Sequence, residues 1–224
     1  NDRKIFEKHF FERAIREEDE FGLFNSNDQI KKIFNKCQIL ECDSELLNSE
    51  SVKVFVENFS PDFVFIFGTN IIKNPVSSIL PENTINLHLG LSPWYRGSAT
   101  LFWPFYNLEP QFAGATFHKI LNEPDAGDIL HQCVPSLTKG QKIHDVGVNT
   151  VVKAKMELNK IINYALEGRE LLFNKQKSSG KNYLTSDFRP EHLRLIYNEF
   201  DNKIVDYYLY NKKIMKNPNL IKLF

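Results

Sequence analysis

Hydrophobic positions recur at helical spacing over residues 2–20. Ile5, Phe6, His9, Phe10 and Ala14 form one stripe, and charged residues fill the opposite face. This spacing predicts a helix with its charged side in solvent. Turn residues follow, and Asn27 or Asp28 is placed to cap a short helix running to Lys36. The apolar positions around Ile39 and Leu40 predict a short strand over residues 37–42. Ser49 or Ser51 then opens a helix with Val52, Val54, Phe55 and Phe59 turned inward. After a turn at residues 60–62, the run FVFIF (residues 63–67) is continuously apolar. Such a run predicts a central parallel strand buried on both faces. Gly68, Thr69 and Asn70 follow it, at the carboxyl end where open α/β sheets bind ligands. Residues 71–80 read as a short helix interrupted by Pro75.

The period then changes from 3.6 to 2. Ile85, Leu87 and Leu89 alternate with Asn86 and His88, so a strand places Asn86 and His88 on one face. Gly90, Ser92 and Pro93 break it into a loop that Arg96 and Gly97 close. A helix is predicted over residues 98–107, with Pro104 as a kink. Residues 113–120 read as a strand ending near His118, residues 125–128 as a turn, and residues 129–135 as an antiparallel partner strand. Residues 141–167 carry a long helical pattern. Val146, Val148, Val151, Val152, Met156 and Ile161 are among its packing positions, Lys153 lies on its solvent side, and Gly168 stops it. Residues 175–181 read as an exposed polar loop. Asp187 is placed to cap a helix from Pro190, a last helix covers residues 202–212, and a basic tail follows.

At 224 residues the chain suits one medium domain with appendages, and 42% hydrophobic content is ordinary for a globular protein. The 28 basic and 28 acidic residues balance, which argues against a protein whose main task is gripping nucleic acid. Cys37, Cys42 and Cys133 form no metal pattern and read as free thiols in a reducing cytosol. No secretory signal and no membrane-spanning apolar run is visible, so a cytoplasmic location is expected.

The candidate chemistry lies where the strand meets the loop. Asn86 offers a primary amide and His88 an imidazole, side by side on one strand face, and Asp125 sits downstream in an Asp-Ala-Gly-Asp turn. The N-x-H strand, the P-x-x-R-G loop closing at Gly97, the G-A-T strand at residues 114–116 and the D-A-G-D turn together resemble the folate-dependent formyltransferases. That superfamily includes the glycinamide ribonucleotide, methionyl-tRNA and sugar N-formyltransferases. The resemblance covers residues 60–168, about half of the chain. The family's usual S-L-L-P segment reads Gly90-Leu91-Ser92-Pro93 here.

The resemblance implies a Rossmann-like α/β fold with a mostly parallel central sheet flanked by helices. It implies a catalytic domain over residues 1–168 and a helical extension over residues 169–224. It implies formyl transfer from N10-formyltetrahydrofolate to a primary amine, with Asn86 donating to the developing oxyanion, His88 polarising or accepting a proton, and Asp125 orienting His88. Folate would lie beside these residues and contact the main chain at Thr69, Asn70 and Ile72 and at Leu121, Asn122 and Pro124. His118 matches a histidine found in part of the family and stands between active-site support and packing. No metal is implied.

Trp94, Tyr95, Trp103 and Tyr106 read either as core or subunit interface, or as platforms for a sugar or base. The expected partners are a small-molecule amine acceptor and, as one option, a second copy of the chain in a homodimer, with no membrane. The acceptor favoured is a nucleotide-linked amino sugar. The short remainder after Gly168 argues against a methionyl-tRNA enzyme, and no Gly-rich phosphate loop marks a glycinamide ribonucleotide enzyme. A formyltetrahydrofolate hydrolase and an inactive fragment or binding module stay open as alternatives. In the family an apolar strand and a helix open the domain, whereas residues 1–20 here are a charged helical pattern. The expectation is therefore a chain lacking its first βα unit, with an unpaired sheet edge beside FVFIF.

Overall fold

Among the described residues six strands follow one another: β1 (Val64–Phe67), β2 (Thr84–His88), β3 (Tyr95–Gly97), β4 (Ala115–His118), β5 (Ile129–Cys133) and β6 (Lys181–Tyr183). Among the described residues the α-helices given bounds are α1 (Asp2–Phe21), α2 (Glu50–Phe59), α3 (Trp103–Tyr106), α4 (Ile143–Leu166) and α5 (Ile204–Asn211). The computed structural model describes residues 2–22, 32, 34–121, 123–176 and 180–224. The cap expected at Asn27 or Asp28 lies outside these residues.

The main sheet has the order β1-β2-β4-β5, and β3 pairs with β6 in a separate two-stranded ribbon. The α/β class and the helix-flanked central sheet match expectation, but the sheet is mixed rather than mostly parallel. β1 and β2 are parallel, while β2–β4 and β4–β5 are antiparallel. Residues 119–128 connect β4 to β5, shorter than the crossover of a dozen or more residues that a parallel pair needs.

FVFIF is not central either. Among the described residues β1 pairs with β2 alone, and Phe67 is 54% exposed. The strand expected at residues 37–42 does not form. No described strand pairs with it, and Ile39 and Leu40 stay exposed. Apolar pattern supplies a strand's faces, but only a neighbouring ladder satisfies its backbone. The helix expected over residues 98–107 shrinks to α3, because Gly97 and Ala99 take positive φ before it.

The two faces of the sheet differ in chemistry because side chains alternate. Ile85, Ala115, Phe117 and Cys133 form one face and pack against Ala154 and Ile161 of α4. Each fully buried Ile or Phe there contributes about 1.5–3 kcal/mol. Truncating Ile161, which is fully buried, to alanine would cost about 2–5 kcal/mol. The α4 stripe is narrower than its apolar content suggests, for Met156 is 52% exposed and Ile162 is 36% exposed. Buried Glu157 occupies the inner face instead, and Lys153, expected in free solvent, reaches it at 2.8 Å. Gly168 ends the helix region with φ 74°, in the left-handed region that favours glycine.

The opposite face is polar. Asn86 lies across from His118, His88 across from Thr116, and Thr116 across from Gln132. A second core, with Leu91, Tyr95, Trp103, Tyr183, Leu193 and Ile204 at its centre, closes against the loop that follows β2. Residues beyond 168 therefore share a core with residues from the first half, and β6 pairs in parallel with β3.

Candidate active site

Asn86 and His88 enter the polar face from β2, and the turn at residues 125–128 brings Asp125 to the same place. Asp125 takes φ 51°, a left-handed conformation that Asp tolerates better than most residues. The turn is pressed against the end of β4: a Cβ on Gly127 would lie 1.7 Å from the Lys119 carbonyl, so only glycine fits. Gln176 clamps the turn from outside. Its Nε2 donates to the carbonyls of Asp125 (2.9 Å) and Gly127 (2.6 Å).

The carboxylate of Asp125 sits between two imidazoles. Its Oδ1 is 3.3 Å from Nδ1 of His88 and 3.4 Å from Nε2 of His118, while Oδ2 accepts the Gly97 N–H at 2.9 Å. Burial pushes this carboxyl up. The His118 contact, the His88 charge and the Gly97 N–H outweigh that and hold it below the usual carboxylate value.

His88 is buried, and its Nε2–H donates to the Tyr95 carbonyl at 3.1 Å. Burial drives its pKa down, against the Asp125 carboxylate and the Tyr95 carbonyl, which favour the charged form. Neutral His88 therefore presents a bare Nδ1 toward Asp125, ready for a proton that the carboxylate would then stabilise. A Cβ on Gly90 would meet His88 Nε2 at 2.2 Å, so the loop glycine makes room for the ring.

Asn86 Nδ2 is 3.1 Å from His118 Nε2, and His118 Nδ1 is 2.7 Å from the Lys119 carbonyl. A carbonyl can only accept, so Nδ1 carries the proton. Nε2 stands within hydrogen-bond reach of both Asn86 Nδ2 and Asp125 Oδ1, and it accepts one N–H of Asn86 whenever it carries no proton. The second N–H of that amide is left over for a ligand.

A cleft of about 560 Å³ opens above this group. Asn86, His118 and Asp125 line it, whereas His88 lies one layer beneath, behind Asp125. One wall is Thr69, Asn70 and Ile72; another is Leu121, Glu123 and Pro124. Asn122 lies outside the described residues. Among the described residues no hydrogen bond engages the main chain of Thr69, Asn70, Ile72, Leu121 or Pro124, all of which line the cleft. The volume falls within the range of about 300–1,000 Å³ common to small-molecule sites.

The opposite wall was not anticipated from sequence. Gly97 and Ser98 form it together with Asn182, Leu184 and Thr185 at and beyond β6. Residues 175–181 carry no strand pattern, so β6 and Gln176 had no local signal. Thr116 did have one, as the threonine of the G-A-T motif. Tyr95 and Trp103 are core residues, and Trp103 stacks on Tyr183 at 4.5 Å between ring centroids. Among the described residues no helix is long and apolar enough to cross a membrane.

Known proteins share the fold. The chain is similar in structure to a 4-N formyltransferase from Francisella tularensis (TM-score 0.57, 22% identity), covering 74% of this chain and 64% of that one. It is similar to the formyltransferase PseJ from Anoxybacillus kamchatkensis (TM-score 0.52, 20% identity), covering 80% of this chain and 92% of that one. An N-formyltransferase from Helicobacter canadensis matches with TM-score 0.50 and 22% identity, over 61% of this chain and 55% of that one. The chain thus spans less than two thirds of the length of the Francisella and Helicobacter proteins. At these identities the likeness shows a shared fold. The sequence profile described as formyl transferase matches residues 12–158, well over half of the chain, and on that evidence the chain belongs to the formyl transferase family.

Proposed function

We propose that this chain transfers a formyl group from N10-formyltetrahydrofolate to the primary amine of a nucleotide-linked amino sugar. The observation that carries the reading is the Asp125 carboxylate held between His88 and His118 beside the free N–H of Asn86, in a chain of this family. Two neighbours support the reactants. PseJ was crystallised with UDP-4,6-dideoxy-4-formamido-L-AltNAc and tetrahydrofolate, and the Helicobacter protein with folinic acid and dTDP-3-aminofucose.

The folate donor supplies an electrophilic formyl carbon when bound. The cleft fits it: the unused peptide groups of Thr69, Asn70, Ile72, Leu121 and Pro124 can read the edge of a pterin ring. Asn86 directs its second N–H at the formyl oxygen, where negative charge develops during amine attack. Asp125, ionised at neutral pH, draws the proton leaving the attacking amine. His88 shares that proton through its bare Nδ1 at 3.3 Å and returns it when the folate nitrogen leaves. The Gly97 N–H keeps Asp125 aimed between the two rings throughout. The acceptor enters along the wall made by Ser98, Asn182 and Thr185.

The test is incubation with N10-formyltetrahydrofolate and UDP- or dTDP-linked amino sugars, following tetrahydrofolate release by absorbance. Release that depends on the amino sugar, and is lost in Asn86→Ala, is the expected result. Release without an amino sugar would instead mark a hydrolase, and no release under either condition would overturn the reading.

A further inference from the structure

The polar face of the sheet continues beyond the catalytic group. His88, Thr116 and Gln132 occupy one register row across β2, β4 and β5. Thr116 is fully buried and Gln132 is 1% exposed. Buried polar groups this deep are kept because each hydrogen bond is made.

Here they are made to the loop that follows His88. Gln132 Nε2 donates to the Ser92 carbonyl at 2.5 Å and to Thr116 Oγ1 at 3.2 Å. Thr116 Oγ1 accepts the Ser92 N–H at 3.0 Å and donates to the Gly90 carbonyl at 2.8 Å. The loop so held sets the position of Tyr95, whose N–H donates to the Leu91 carbonyl at 3.0 Å and whose own carbonyl fixes His88 Nε2.

The other end of the Gln132 amide faces the C-terminal segment. Its Oε1 accepts the Ile221 N–H at 3.1 Å. The same segment is bound to β5 by Gln132 N–H to the Ile221 carbonyl (2.8 Å), Lys222 Nζ to the Gln132 carbonyl (2.7 Å) and Leu223 N–H to His131 Nδ1 (3.2 Å).

These bonds determine how the amide is turned. If it flipped, its oxygen would face the Ser92 carbonyl and its NH2 would face the Ile221 N–H. Both contacts would be repulsive and buried, away from any water that could satisfy them. The Ile221 N–H therefore selects the orientation in which Nε2 points into the loop.

We propose that Gln132 is a positioning residue that couples the segment at residues 221–223 to the loop orienting His88. Gln132 touches no reacting atom; it acts through Ser92, Thr116 and Tyr95. The kinetic consequence rests on the formyl-transfer reading, whereas the structural coupling does not.

Ile221→Pro removes the N–H and leaves the carbonyl and the sheet face intact. Gln132→Met keeps the side-chain length without a donor. Gln132→Glu restores a donor when protonated. Hydrogen–deuterium exchange of residues 89–95 is measured in each. Exchange about tenfold faster in Ile221→Pro and Gln132→Met is expected, since the loop loses its internal anchor.

In the transfer assay both variants should lose about tenfold to a hundredfold in kcat with KM within about twofold, the signature of a misplaced group rather than lost binding. Gln132→Glu should recover kcat, relative to the parent, as pH falls. Unchanged loop exchange in both Ile221→Pro and Gln132→Met would overturn the proposal. A parent chain with no transfer activity but with loop exchange altered in both variants would refute the functional reading and leave the coupling standing.

Discussion

Both oxygens of Asp125 are engaged, one with two imidazoles and one with a main-chain N–H. An amide in its place keeps the shape but loses the charge. Asp125→Asn should fold normally and lose about 10²-fold or more in kcat, because His88 can no longer hold a proton beside it. Thermal unfolding together with steady-state rates checks this, and parental turnover would remove Asp125 from the proton path. Asn86→Ala should cost about 10²–10³ in kcat through loss of the oxyanion donor, with little change in folate affinity. Equilibrium folate binding by fluorescence separates the two effects. Asn86 and His88 were legible in the sequence because strand alternation alone puts them on one face. Asp125 was legible only through the motif it shares with a family. Gln132 and Gln176 were not legible at all: their partners are main-chain carbonyls far along the chain, and no spacing rule connects a side chain to a distant peptide group.

Helix α4 shows what periodicity reads and what it misses. Its apolar stripe was visible, and Val146, Val148 and Ile161 are indeed buried. Glu157, at an inward position, was not recognised as buried, because its neutralising partners come from the turns before and after it in the same helix. Lys153 lies at 2.8 Å and Lys160 at 3.1 Å, whereas His131 of β5, 3.4 Å away, is held neutral and supplies no charge. Both lysines are partly exposed, so either one alone should cost no more than about 1 kcal/mol on replacement by alanine. Removing both leaves a buried carboxylate without a lysine, and the double variant should lose about 3 kcal/mol or more, exceeding the sum. Urea unfolding of the four species gives the coupling, and strictly additive losses would show that the two lysines do not share the task of compensating Glu157. The strand errors have a different origin. Residues 37–42 have a strand's composition but meet no ladder, whereas β6 has little strand character yet forms because β3 offers it one. Pairing is a property of two segments, and one segment's pattern does not contain it.

At the scale of the whole molecule, three histidines away from the candidate site are held neutral. Burial, reinforced by the nearby His144 and Arg13, lowers the pKa of His9 to about 3. Burial lowers that of His144 to about 4 against the pull of Glu12, and that of His131 to about 4 with help from Lys222. Two of them join α1 to the rest of the fold, since His9 and His144 both contact the hydroxyl of Tyr197, at 3.0 and 3.3 Å. The third lies under α4, where Leu223 donates to it. In the unfolded chain each would titrate near the ordinary value of 6.5. Between that value and the lowered ones, the unfolded state binds more protons than the folded state, so stability rises with pH across this window. The contribution is fully present above about pH 6.5 and is lost as pH falls toward 4, at about 1.4 kcal/mol per pH unit for each group. Domains of this kind have a total stability of only about 5–15 kcal/mol. The urea midpoint should therefore drop clearly between pH 7.5 and pH 5.0, and His9→Leu should shallow the dependence by removing one of the protons taken up on unfolding. Hydrogen exchange should show α1 released first, because two of the three neutral rings sit at its contact with α4 and Tyr197. An equal urea midpoint at both pH values would mean that these imidazoles are already reached by solvent and carry no such charge penalty.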